Sequence, residues 1–137
     1  MVDIYEKGDG TMHISVVEDN PAVLVMVETA LALQGYMVET YSNSPSFLSA
    51  LQKAERTSSC DVVIVDLFLE RQSGTDIVEA LRVAQPRVIP AILISAAAES
   101  TLAPIRKRYP NVPILQKPFK IRALVSLINE VTSPLEV

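Results

Sequence analysis

Cysteine and histidine are almost missing from this chain: Cys60 and His13 are the sole examples of each. One cysteine can make neither an internal disulfide nor a cysteine-based zinc site, and it fits a cytosolic setting. His13 has no second histidine or cysteine near it, so it reads as a strand-edge residue and not a metal ligand. Basic charge is also scarce, with 12 Lys and Arg against 16 Asp and Glu and a net charge of -4. That balance, with no long basic run, argues against a nucleic-acid surface. No apolar run is long enough for a bilayer: Val88 to Ala98 is interrupted by Pro90 and Ser95. Residues 1–11 are acidic and glycine-rich, unlike a basic-then-apolar signal segment, and are expected to form a flexible leader. No repeat, low-complexity segment or second domain is visible. With 137 residues, 49% apolar and 20% charged, the chain is expected to fold as one soluble cytoplasmic domain.

What is present is organised around Cys60-Asp61-Val62-Val63-Ile64-Val65-Asp66-Leu67. Val62 to Val65 is a continuous β-branched run, too short for a helix and without alternation. It reads as a strand buried on both faces, as in a parallel sheet covered by helices. Asp66 ends that strand, where open α/β sheets bind ligands. It is a candidate nucleophile or metal ligand, although Asp also caps turns at strand ends.

His13 to Val17 reads as the first strand and leads into Glu18-Asp19. Asn20-Pro21 starts a helix that runs to about Gln34 and stops at Gly35. Met37 to Tyr41 is a second strand. Ser44-Pro45 opens a helix through about Lys53, with Phe47, Leu48 and Leu51 on its inner face. Arg56 to Ser59 reads as a polar turn into the central strand. After Gly74, Ile77, Val78, Leu81 and Ala84 recur at helical spacing before Pro86. A fourth strand follows over Pro90 to Ser95. Pro104 is expected to delay the fourth helix to about Leu102 and shorten it. Val112 to Gln116 reads as a fifth strand, and Ile121 to Val131 as a closing amphipathic helix. Five strands alternating with five helices predict a doubly wound parallel sheet.

The strand ends then carry Glu18-Asp19, Asp66, Ser95 and Lys117 on one edge of the sheet. Neighbouring carboxylates repel unless a cation joins them, and a few hard oxygen ligands suit Mg2+ or Mn2+. With the metal in place Asp66 can stay ionised at neutral pH, as a nucleophile must. Lys117 and the Ser95 hydroxyl supply the charge and the donor that a phosphoryl oxygen needs. The plainer alternative is that Lys117 only neutralises the acids.

These residues together resemble the receiver domain of two-component response regulators. Glu18-Asp19 match its paired acids, Asp66 its phosphoacceptor, Ser95-Ala96 its Ser/Thr-Ala pair and Lys117-Pro118-Phe119 its Lys-Pro-Phe signature. Gly74, eight residues past Asp66, also fits. The resemblance covers about His13 to Val131 and implies a flavodoxin-like (βα)5 domain over residues 12–132, strand order 2-1-3-4-5, with a tail at 133–137. It implies a Mg2+-dependent signalling switch that takes phosphate from a phosphohistidine and later hydrolyses it, a self-modifying phosphoacceptor and not a turnover enzyme. By the same resemblance, Asp66, Asp19 and the backbone carbonyl of Phe68 hold the metal and Glu18 assists through its water shell. Ser95 and Lys117 bind the phosphoryl oxygens, and the Lys117–Pro118 bond is cis.

The chain departs from the family at several positions. Ile114 replaces an aromatic residue three before Lys117, Glu70 stands where proline is frequent, and Phe68 puts a large apolar group beside the site. A phosphatase resembling the haloacid-dehalogenase-like group would need a second Asp two residues after Asp66, where Phe68 stands. An interaction module that never takes phosphate would lack the acceptor, the acids or the lysine, and none is lost. The partner implied is a sensor histidine kinase or histidine phosphotransfer protein. On the first helix, Val23, Val27, Ala30 and Leu31 form the stripe for the sheet, leaving Leu24, Val25, Glu28 and Ala32 outside. Leu24 and Val25 are the expected docking patch, with homodimer formation as a rival use of it.

Overall fold

A computed structural model describes residues 11–53, 60–70, 73–83 and 88–133. The expected leader, the polar turn over Arg56 to Ser59, Ala84 and the end of the tail lie outside them. The elements run β1 (His13–Val17), α1 (Pro21–Leu33), β2 (Met37–Tyr41), α2 (Ser44–Lys53), β3 (Val62–Asp66), α3 (Gly74–Arg82), β4 (Ala91–Ser95), α4 (Glu99–Arg108), β5 (Ile114–Gln116) and α5 (Ile121–Thr132). All strand pairs are parallel, in the order β2-β1-β3-β4-β5.

The central strand shows why its sequence lacks alternation. Val63 and Val65 pack on one face with Phe47, Ile77, Leu81 and Leu102 from α2, α3 and α4. Val62 and Ile64 pack on the other with Val27, Leu31, Leu124 and Ile128 from α1 and α5. Both sets of β3 side chains are fully buried. Each such residue contributes roughly 1.5–3 kcal/mol of burial, so either face of the strand needs apolar residues.

Local signals set the ends of α1. The Asn20 side chain accepts from the N–H groups of Ala22 and Val23 at 2.9 and 3.2 Å, and Pro21 takes the first turn, where no N–H is needed. Gly35 follows with φ 95, a conformation that strains most other residues.

Three expectations change. Helix α4 begins at Glu99, not near Leu102, and Pro104 sits inside it. The proline removes one bond, to the carbonyl of Ser100, and Ser100 and Pro104 are both exposed, so water can take that carbonyl. The Glu99 carboxylate accepts two bonds from Arg106, at 2.9 and 3.2 Å, two turns on and across the proline. Strand β5 starts at Ile114, two residues late, after Pro113, whose N can donate to no neighbour. Leu24 is half-buried against the cluster under α1 and not outside; Val25 (58% exposed) and Met26 (49%) face solvent.

Candidate functional site

Strands β1, β3, β4 and β5 end on the same edge, and their last residues or the loops after them carry every candidate. The closest pair is made by Lys117, whose Nζ donates to Glu18 Oε1 at 2.9 Å and to Asp66 Oδ2 at 3.0 Å. The other Asp66 oxygen accepts the Phe68 N–H at 3.0 Å. Glu18 is fully buried and its second oxygen accepts from the Asn20 N–H at 3.1 Å. The Lys117–Pro118 bond is cis.

The charges are perturbed in a consistent way. Burial is the strongest influence on Glu18 and raises its pKa, the nearby Asp66 adds to this, and the Lys117 bond only partly offsets it. Burial alone would lower the Lys117 pKa, but its bonds to the Glu18 and Asp66 carboxylates outweigh it and hold the ammonium form above its usual range.

Carboxylate oxygens of Glu18, Asp19 and Asp66 lie within 4.8 Å of one another. Three hard, anionic donors at that spacing, two of them buried, fit a small divalent cation such as Mg2+ or Mn2+ and not a soft metal. Asp19 is exposed, and its Oδ2 accepts the Glu70 N–H at 2.9 Å. Sequence reading treated Glu70 only as a missing proline. The structure gives the reason a proline would not serve here: it has no N–H for Asp19. A cavity of about 370 Å3 opens beside Asp19 and Glu70, lined also by Ser42 and Asn43.

Two further residues shape the site from behind. Gly74 lies against the backbone of Asp66: a Cβ there would stand 2.5 Å from the Asp66 carbonyl oxygen and 3.0 Å from Leu67 Cα. Its N–H donates to the Leu67 carbonyl at 2.7 Å, tying the start of α3 to the loop after Asp66. Ser95 is completely buried, and its hydroxyl accepts the Ala97 N–H at 3.0 Å in a tight turn. Phe68 is 51% exposed, with its ring outside both core clusters. Ile114 is buried among the side chains under α3 and α4.

The fold and this crevice define a class of doubly wound α/β domains with an acidic cluster at the strand ends, and comparison with known proteins makes the class specific. The family model described as "Response regulator receiver domain" matches residues 14–129. The chain is 31% identical over 128 residues to regulatory protein VirG of Agrobacterium tumefaciens, covering 93% of this chain and 46% of that protein. It is 30% identical to the probable transcriptional regulatory protein TcrX of Mycobacterium tuberculosis, covering 87% and 49%. The chain thus spans about half the length of these regulators. A receiver domain structure from Clostridium thermocellum is 26% identical with a TM-score of 0.76, covering 88% of this chain and 94% of that one. The Vibrio cholerae chemotaxis protein CheY4 gives 25% and 0.74, covering 88% and 98%. The chain belongs to the receiver domain family of response regulators. Among the described residues, no helix is long and apolar enough to cross a membrane.

Proposed function

We propose that Asp66 accepts a phosphoryl group from a phosphohistidine on a sensor kinase or histidine phosphotransfer protein, and that the acyl phosphate switches the domain. The observation that carries this is Asp66 itself: one oxygen held by Lys117, the other by a backbone N–H, with two more carboxylates within 4.8 Å. An Asp66 oxygen attacks phosphorus, and the P–N bond of the donor breaks with its electron pair returning to the ring. The imidazole leaves neutral when its other nitrogen carries a proton. Lys117 then moves its donor from Asp66 to a phosphoryl oxygen, and Ser95 supplies a second donor.

Asp19, Asp66 and the Phe68 carbonyl would hold Mg2+, with Glu18 assisting, and the bound ion would neutralise charge on the phosphoryl oxygens. Glu70 fixes Asp19 through its backbone N–H, so the ligand set is partly preorganised. A cytoplasmic setting fits this chemistry. The exposed Val25 and Met26 of α1, a helix that starts just after Glu18-Asp19, support a partner contact there.

The test is incubation with acetyl phosphate and Mg2+ followed by intact mass. One added phosphoryl group in the wild type, absent from Asp66→Asn and reduced in Asp19→Asn, is expected. An unlabelled wild type overturns the reading.

A further inference from the structure

The hydroxyl of Ser95, the proposed second donor, is fastened to the turn that follows β4. Its residue is completely buried, and one lone pair is engaged by the Ala97 N–H at 3.0 Å. Among the described residues no acceptor takes its proton, so the donor a phosphoryl oxygen would use is unspent. Ser95 follows Ile94, which pairs with Asp66 across the sheet. Its hydroxyl therefore lies one residue from the acceptor's own partner. Because hydroxyl and turn are joined, the turn over residues 95–97 sets where the Ser95 hydroxyl can meet a phosphoryl group on Asp66.

That turn is tied down from β5. The Gln116 side-chain amide donates from Nε2 to the Ala97 carbonyl at 3.1 Å. Gln116 is the register partner of Ser95, and the next residue's N–H, that of Lys117, donates to the Ser95 carbonyl at 2.7 Å. The Lys117 bond is part of the backbone and holds the strand end. The Gln116 bond is the side-chain tie on the turn itself, and it lies at the surface. It can break without disturbing the core.

We infer that Gln116 is a positioning residue for the proposed phosphotransfer: by holding the Ala97 carbonyl it keeps the Ser95 turn in its unliganded form and opposes closure on a phosphoryl group. The inference rests on the reading of Asp66 as phosphoacceptor. The Gln116 side chain bonds to the Ala97 carbonyl and not to Asp66 or the metal-ligand candidates, so its effect passes through Ser95 and Ala97. A ligand that binds only the shifted turn gains apparent affinity when the unshifted turn is weakened. One net hydrogen bond between neutral groups at the surface corresponds to about a two- to fivefold change in affinity.

The experiment titrates the full chain with beryllium fluoride, a phosphoryl mimic, in saturating Mg2+, using calorimetry. Gln116→Met keeps the side-chain length and removes the donor; Gln116 is exposed, so the variant folds. It is expected to bind the mimic about two- to fivefold tighter, with the Mg2+ affinity measured without the mimic unchanged. The Ala97 amide should also exchange hydrogen faster in the variant. Equal or weaker mimic binding overturns the inference, as does a parallel rise in Mg2+ affinity, which would place the effect on the metal. A wild type that binds no mimic in Mg2+ overturns the phosphoacceptor reading itself. A wild type that binds it, with Gln116→Met indistinguishable, overturns the role of Gln116 alone.

Discussion

Lys117 Nζ sits 3.0 Å from Asp66 Oδ2 across 51 residues of sequence, and the same ammonium group is shared with the fully buried Glu18. One cation thus supports two carboxylates, and the arrangement has a pH signature. Removing the lysine leaves Glu18 buried with only one backbone donor. Glu18 already has a raised pKa through burial, and losing the Lys117 bond raises it further. A carboxyl group with a raised folded pKa binds more protons folded than unfolded, so ionising it lowers stability as pH rises above its unfolded value.

Lys117→Met is therefore expected to lose about 1.5–3 kcal/mol at pH 8, and clearly less at pH 5, where Glu18 is closer to protonated. Urea unfolding at the two pH values measures this. Equal losses at both would mean that the lysine acts by packing and not by charge.

The backbone behind the acceptor allows a second prediction. At Gly74 an added methyl group would meet the Asp66 carbonyl oxygen at 2.5 Å, and that oxygen belongs to a buried strand end. Such atoms cannot swing aside as a flexible side chain would. Gly74→Ala is expected to cost about 1–3 kcal/mol and to slow acetyl phosphate labelling, because relief requires moving Asp66 or α3. Unfolding midpoints together with labelling rates decide it. Full stability and full labelling would show that α3 moves freely against the acceptor loop.

Much of this architecture could be read from the sequence, for identifiable reasons. Apolar runs such as Val62 to Val65 have few homes besides a strand covered on both faces, and Asn20-Pro21 and Gly35 mark helix ends through backbone chemistry alone. The sequence also shows candidates at strand ends, since topology brings those ends together. It could not show the side-chain and backbone pairings that set their charge states and aim. The Glu70 N–H on Asp19 and the Gln116 amide on Ala97 depend on loop paths that no periodicity encodes. Helix α4 starts earlier than Pro104 alone implies. The Glu99–Arg106 pair bridges the turns on either side of it.

Phe68 links the site's geometry to the lifetime of the modified state. Its N–H binds Asp66 Oδ1, yet half its surface is open and the side chain lies outside both core clusters. If Asp66 carries a phosphoryl group as proposed, a ring swung over it would obstruct water approaching in line. Phe68→Ala is expected to shed phosphate a few times faster with little change in unfolding midpoint. Timed intact mass after removal of acetyl phosphate reads the rate. A lifetime equal to the wild type removes the ring from the hydrolysis path.

The surface of α1 bears on where a donor meets this domain. Its sequence, PAVLVMVETALAL, carries one charged residue, Glu28. One side covers the sheet through Val27 and Leu31, and the half-buried Val23 and Leu24 extend that contact. A negative charge at Leu24 would therefore strike the core as well as the surface, which rules it out as a clean probe. Val25 and Met26 are open to solvent and lie in the first two turns after Glu18-Asp19. Two adjacent apolar side chains near the crevice suit the apolar face of a helical donor whose histidine must reach Asp66. Val25→Glu with Met26→Glu is expected to reduce transfer from the phosphohistidine donor at least tenfold, while acetyl phosphate labelling stays near normal. A small donor needs only the crevice, whereas on this proposal a protein donor also needs the helix. Loss of both activities would make α1 a structural requirement. Retention of both would move the docking surface elsewhere, and sedimentation of the wild type against the variant would then show whether the patch joins two copies of the chain.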